Sequence, residues 1–162
     1  MSPGEIRRIK RSDNKILAKI IRNVFEEFDL PLKGTVYSDP TTDHLFELFS
    51  TEGAACFVVE FNNEILGCAG IYPTKNLPKG CCEFSKFYLS PNARSRGFGK
   101  NLLQLCIEEA KKFGYKMVYI ESFHELSTAL EMYKKFGFET LEHPLGKSGH
   151  DACSIWQVFN IM

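Results

Sequence analysis

The chain has 162 residues, 44% of them hydrophobic and 25% charged, with 20 Lys plus Arg against 20 Asp plus Glu. That length suits one domain with a substantial core, expected over residues 1–162, and the composition excludes a disordered chain, which needs low hydrophobicity and a large net charge. A net charge of 20 − 20 = 0 excludes a global pull towards nucleic acid or an anionic membrane.

In chain order, residues 5–10 read as a short strand. A helix starts at Asp13, a residue suited to an N-cap, and carries Leu17, Ile20, Ile21, Val24 and Phe28 at helical spacing. It ends before Pro31, and the Pro, Gly, Ser and Asp of the next segment predict a loop. A second helix is expected over 41–50. The period then changes. Residues 55–61 (ACFVVEF) and 64–72 (EILGCAGIY) read as a hairpin about Asn62-Asn63, and 81–89 (CCEFSKFYL) as another strand. A helix follows up to Phe113, with Leu103, Cys106, Ile107 and Ala110 on one face and Gly114 as its stop. A strand over 116–121, a helix over 127–136 and strands over 138–141 and 154–159 complete the order β α α β β β α β α β β, a mixed α/β domain built on a central sheet.

The six cysteines form no C-x-x-C pair and no zinc spacing. Most lie in apolar runs, where Cys acts as a small hydrophobe, so reduced thiols in the cytoplasm are the simplest reading. The basic N-terminus lacks the apolar stretch of a signal peptide. No apolar run approaches the roughly 18 residues of a membrane span. His44, His124, His143 and His150 show no metal-ligand spacing with the cysteines, and no metal is expected.

The most informative stretch is Arg94-Ser95-Arg96-Gly97-Phe98-Gly99-Lys100, which joins a strand end to an apolar-faced helix. The first N–H groups of a helix have no partner of their own, and glycines let a ligand approach the backbone. A phosphate or pyrophosphate suits such a nest, with Arg94, Arg96 and Lys100 on its rim. Asn101 after Lys100 and Leu102 exclude a Walker A loop and a dinucleotide-binding fingerprint.

Arg94-x-x-Gly97-x-Gly99 resembles the Gln/Arg-x-x-Gly-x-Gly/Ala motif of the GNAT superfamily of N-acetyltransferases. The preceding strand, Glu83 to Leu89, resembles that family's Glu-x-x-x-φ-x-φ strand. Ala129-x-x-x-Tyr133-x-x-x-Gly137-Phe138 is similar to its later Ala-x-x-x-Tyr-x-x-x-Gly-Phe signature. The motifs cover residues 83–138. The resemblance implies a mostly antiparallel sheet of about six or seven strands, splayed at the middle and flanked by about four helices. It implies an acetyl-CoA-dependent N-acetyltransferase, moving the acetyl group directly to a primary amine of a small molecule or an amino terminus. A non-catalytic CoA-binding sensor is the rival reading, and a nucleic-acid-associated modifier is disfavoured by the neutral charge. A homodimer stays open.

The resemblance assigns the pyrophosphate to the backbone of Ser95, Arg96, Gly97, Phe98, Gly99 and Lys100. It assigns the pantetheine arm to Phe87, Tyr88 and Leu89, where an extended amide chain pairs with a strand edge. Many members carry Asn seven residues before the Tyr; here the position is Leu126, kept as a cofactor-binding candidate without the Asn contact. Tyr133 stands at the general-acid position, to protonate or contact the leaving thiolate, with packing as its bland alternative. Glu83 aligns with the base glutamate of histone-acetylating members; the other reading is a polar strand residue holding a water or backbone group. The acceptor is expected between the first-helix loop and the C-terminal segment, with Phe25, Phe28, Tyr37, Asp39 and His150 as candidates. Asp39 either attracts an ammonium group or caps the helix after Pro40. His150 and Cys153 have the spacing of a nucleophile pair, which direct transfer does not need.

Overall fold

The computed structural model describes residues 4–147 and 152–161. The strands are β1 (Glu5–Arg8), β2 (Ala55–Phe61), β3 (Glu64–Tyr72), β4 (Cys81–Leu89), β5 (Met117–Ser122), β6 (Glu139–Leu141) and β7 (Ile155–Asn160). The helices are α1 (Asn14–Glu27), α2 (Leu45–Leu48), α3 (Phe98–Lys112) and α4 (Ser127–Phe136). All seven strands join one sheet in the order β1-β2-β3-β4-β5-β7-β6. Every neighbouring pair is antiparallel except β4 and β5, which run parallel. The expected mixed, mostly antiparallel architecture is therefore present.

Strand alternation sorts the core onto two faces. Along β2, Ala55, Phe57 and Val59 join α3 residues Leu102, Leu103, Cys106 and Ala110 on one side of the sheet. Cys56 and Val58 face the other side, where Leu17, Ile21 and Phe25 of α1 pack with Leu45 and Phe49. Each such fully buried aliphatic or aromatic side chain contributes about 1.5–3 kcal/mol.

Two predicted elements differ in detail. The helix expected over 41–50 is a 3-10 turn, Pro40–Asp43, followed by the short α2. The Asp39 carboxylate accepts from the Thr41 N–H, and the buried Thr42 hydroxyl donates to the Val36 carbonyl at 2.6 Å. These bonds tighten the chain until His44 leaves helical geometry at φ −135°. Asp13 does not cap α1 with its side chain: its carboxylate accepts from the Lys10 N–H and pairs with Arg7, closing the 3-10 turn Arg11–Asp13.

The junction of β4 and β5 positions the site. Their ladder runs only from Cys81↔Met117 to Glu83↔Tyr119. Beyond it β5 stays with β7, while β4 stays with β3. The rest of β4 thus has no strand on its β5 side. Opposite β3, the register slips between Gly70↔Ser85 and Cys68↔Tyr88, so Ala69 faces both Lys86 and Phe87. That extra residue is a β-bulge, with Lys86 at φ +58°.

Candidate active site

A cavity of about 480 Å³ opens where the two strands part. Its floor is β4, from Glu83 to Leu89. Arg94, Ser95, Gly97, Gly99 and Lys100 close one side, and Ile120 to Phe123, Leu126, Met132 and Tyr133 the other.

The loop before α3 has the geometry that an anion needs. Ser95 and Gly97 both adopt left-handed backbone, at φ +62° and +84°. Gly97 is the N-cap of α3 and offers no side-chain cap, and no acidic residue sits in the first turn. The first described bond back into the helix is Asn101 N–H to Gly97 carbonyl, so the earlier N–H groups of this 15-residue helix face outward with the positive end of its dipole. A Cβ on Gly99, a residue of the cavity wall, would lie 3.1 Å from Phe87 and 3.5 Å from Met132. A pyrophosphate fits this arrangement.

The arginines of the motif are held by the protein itself. Arg94 forms a bidentate pair with Glu27 of α1, donates to the Leu89 carbonyl, and lies 5.1 Å from the Phe28 ring centre. That bond holds the Glu27 carboxyl below its usual range. Arg96 donates to the Asn92 carbonyl and stacks on Phe61, away from the cavity lining. Phe98 turns inward to the core instead of lining the cavity. Lys100 is the basic side chain of the motif left at the rim.

Glu83 sits at the last paired position of β4 and is 6% exposed. Burial pushes its carboxyl up to about 7, against the opposing pull of Lys86 and of the Thr74 hydroxyl, which donates to it at 2.5 Å. A carboxyl at that value is suited to take a proton near neutrality. Tyr133 projects from α4 among Phe84, Phe87 and Phe138. Burial raises its phenol, keeping it protonated and able to donate.

The cavity thus brings together Glu83, Phe87, Tyr88, Leu89, Arg94, Ser95, Gly97, Gly99, Lys100, Leu126, Tyr133 and Phe28. Tyr37 and Asp39 do not line it. The Tyr37 ring packs on Phe25 and Arg22, and the Asp39 carboxylate caps the turn at Pro40. Phe25 is fully buried beneath Tyr88. His150 lies outside the described residues.

Sequence reasoning missed Lys86, Glu121 and Glu125 as cavity residues, and did not place Cys153 in the lining. For Lys86 a signal existed: in Phe84-Ser85-Lys86-Phe87 two polar residues separate two aromatic ones, which breaks the period-two pattern and marks a bulge. Glu121 accepts from the Tyr119 hydroxyl, which in turn accepts from the Leu145 N–H. Among the described residues no group of three or more His, Cys, Asp or Glu is placed to hold a metal ion, and no helix is long and apolar enough to cross a membrane.

Comparison with known proteins agrees with this geometry. Residues 21–138 match the Acetyltransferase (GNAT) family. The chain is 35% identical to an uncharacterised N-acetyltransferase of Escherichia coli, YjgM, over 93% of this chain and 90% of that protein. Its fold is similar to that of a GNAT-family acetyltransferase from Staphylococcus aureus Mu50, with a TM-score of 0.86 and 19% identity over 98% of this chain and 99% of the other. It is also similar to a GNAT superfamily phosphinothricin acetyltransferase from Sinorhizobium meliloti, determined in complex with acetyl-CoA. There the TM-score is 0.75 at 17% identity, over 99% of this chain and 89% of the other. With the family matched across most of its length and a close relative along nearly all of it, this chain belongs to the GNAT superfamily and is an N-acetyltransferase.

Proposed function

We propose that the chain, as one catalytic domain over residues 1–162, transfers acetyl from acetyl-CoA to the primary amine of a small molecule or an amino terminus, by direct attack while both substrates are bound. The observation that carries this reading is the continuity of the cavity. It runs from the uncapped start of α3, along the unpartnered side of β4, to Glu83 and Tyr133.

The loop from Ser95 to Lys100 holds the pyrophosphate through backbone N–H groups, and Lys100 adds charge at the rim. Arg94 acts mainly as a tether: by binding Glu27 and the Leu89 carbonyl it fixes the loop against α1 and β4. Phe87 to Leu89 offer the pantetheine amides an unpaired strand side, and a β4 N–H polarises the thioester carbonyl. Leu126 supplies an apolar contact where other family members carry Asn.

An amine near pKa 10.4 arrives mostly charged at neutral pH, so its proton must leave before it attacks. Glu83, buried and titrating near 7, takes that proton directly or through a water. Tyr133 donates to the departing sulfur, its raised pKa keeping the hydroxyl protonated until the C–S bond breaks. Phe28, lining the cavity beneath Arg94, borders the acceptor.

The test is release of free CoA thiol from acetyl-CoA with a panel of amines. Amine-dependent release supports the reading. Calorimetric acetyl-CoA binding without release on any amine would contradict it and favour a sensor.

A further inference from the structure

We propose that the natural acceptor is an amine that carries a carboxylate close to its amino group, built like an amino acid, and that Lys86 receives that carboxylate. The inference rests on the acetyl-transfer reading above and adds the class of acceptor and the residue that selects it.

Lys86 is the inserted residue of the β4 bulge. Its left-handed backbone, φ +58°, is uncommon for a non-glycine residue. Such conformations persist where the surrounding structure demands them, most often at binding and catalytic sites, and bulges re-aim side chains there. Lys86 lines the cavity although only 8% of the residue is exposed. Lysine is almost never buried to this extent without a partner. Yet among the described residues no hydrogen bond or ion pair engages the Lys86 ammonium. Its charge reaches the Glu83 carboxyl, three residues back, but the two are not within ion-pair distance. An unpaired ammonium on a residue of the cavity wall can be matched by a ligand anion through a charge-assisted hydrogen bond.

That anion is not the pyrophosphate. Lys86 acts electrostatically on the Cys56 thiol, which is buried on the α1 face of the sheet. The glycine loop belongs to α3, which packs on the opposite face. Around Lys86, the carboxylates of Glu83, Glu121 and Glu125 line the same cavity. Glu121 already accepts from the Tyr119 hydroxyl and Glu125 pairs with His124, so the proposed acceptor meets Glu83 with its amino group and Lys86 with its carboxylate. An acceptor with both charges a few bonds apart complements this pattern. A peptide amino terminus, whose neighbouring carboxyl is an amide, leaves Lys86 unanswered.

The experiment compares kcat/KM, read as CoA thiol release, for each proteinogenic amino acid and its carboxamide, with spermidine and simple alkyl amines alongside. Removing one partner of a buried charge pair lowers binding by on the order of 30-fold or more, so the best amino acid should exceed its carboxamide by about that factor. Lys86→Met and Lys86→Gln should bring the ratio towards unity, chiefly through the KM of the acid, while Lys86→Arg keeps part of the preference. The thermal shift given by acetyl-CoA, unchanged in these variants, shows that they fold and keep the cofactor site. Should the Met variant not fold, the Gln variant and the wild-type ratio still decide. Equal turnover of acids and carboxamides by the wild type overturns the inference and leaves acetyl transfer standing. So does turnover of amines without a carboxylate alone, or a preference undiminished in the Met and Gln variants. No CoA release with any probe overturns the acetyl-transfer reading and this inference together.

Discussion

Burial raises the Glu83 carboxyl to about 7, which suits the base role proposed for it and also makes Glu83 a liability to the fold. Its folded pKa is about 7, against an ordinary value of 4.5. The folded state therefore holds the proton to higher pH than the unfolded chain does. Stability from this group is greatest below about 4.5 and falls as pH rises through 7. The size of the loss is up to about 3 kcal/mol, from about 1.4 kcal/mol per pKa unit. Glu83→Gln keeps the volume and never charges. It should equal the wild type in thermal stability near pH 5 and exceed it at pH 8, measured by melting at both pH values. The same substitution should lower kcat/KM by about 100-fold above neutrality. It should also erase the wild-type rise near pH 7, leaving only the rise of the amine itself near 10. A retained inflection near 7 would remove Glu83 from proton transfer. Tyr133→Phe deletes one hydroxyl among Phe84, Phe87 and Phe138 and leaves that packing intact. It should lower kcat and kcat/KM together by about 100-fold with little change in melting temperature. A rate within about twofold of wild type would make Tyr133 a packing residue.

At the scale of elements, the start of α3 and the free side of β4 line the half of the cavity proposed for the cofactor. Gly97 holds φ +84° in open space, so Val there is strained by backbone conformation alone. A Cβ at Gly99 would press on the Phe87 ring at 3.1 Å and touch Met132 at 3.5 Å, so a branched side chain there must push into the cavity wall. Gly97→Val and Gly99→Val should each remove most of the acetyl-CoA thermal shift, the first with an added loss of about 1–2 kcal/mol in the stability of the free protein. A shift of unchanged size in either variant would move the pyrophosphate elsewhere. These elements were legible in the sequence because their signals are local: glycines at a helix start, apolar residues at helical spacing in α3, alternation in β2. The short α2 was not, because His44 is turned by Thr42 bonding to Val36, a contact that spacing does not reveal. Arg94 and Arg96 were legible as charges but not in their roles, since their partners Glu27 and Phe61 lie far away in the chain. Lys86 faces the cavity because β3 and β4 slip register, which only the break in alternation foreshadows. Tyr37 and Asp39 follow the same rule. A loop tyrosine and aspartate look available for recognition, but α1 and the turn at Pro40 occupy them.

For the whole molecule, β4 and β5 part after three paired positions, leaving two halves of a sheet joined at its centre. A ligand lying between them replaces pairing that the strands themselves do not make. Acetyl-CoA at about 100 times its dissociation constant should therefore stabilise the fold by about 2.7 kcal/mol. For a chain of this size that is a rise of roughly 5–10 °C in melting temperature. The neutral net charge exerts no global pull on polyanions, and the acidic residues of the cavity with Lys86 give that cavity its own polarity. The most direct measurement of acetyl transfer is a single assay of the purified protein with acetyl-CoA and the amine panel, following free thiol while mass spectrometry identifies the acetylated amine. The structure predicts thiol release in step with an N-acetyl product, abolished by Gly99→Val and reduced by Tyr133→Phe. Thiol release without an N-acetylated product, or turnover undisturbed by both substitutions, would contradict acetyl transfer in this cavity.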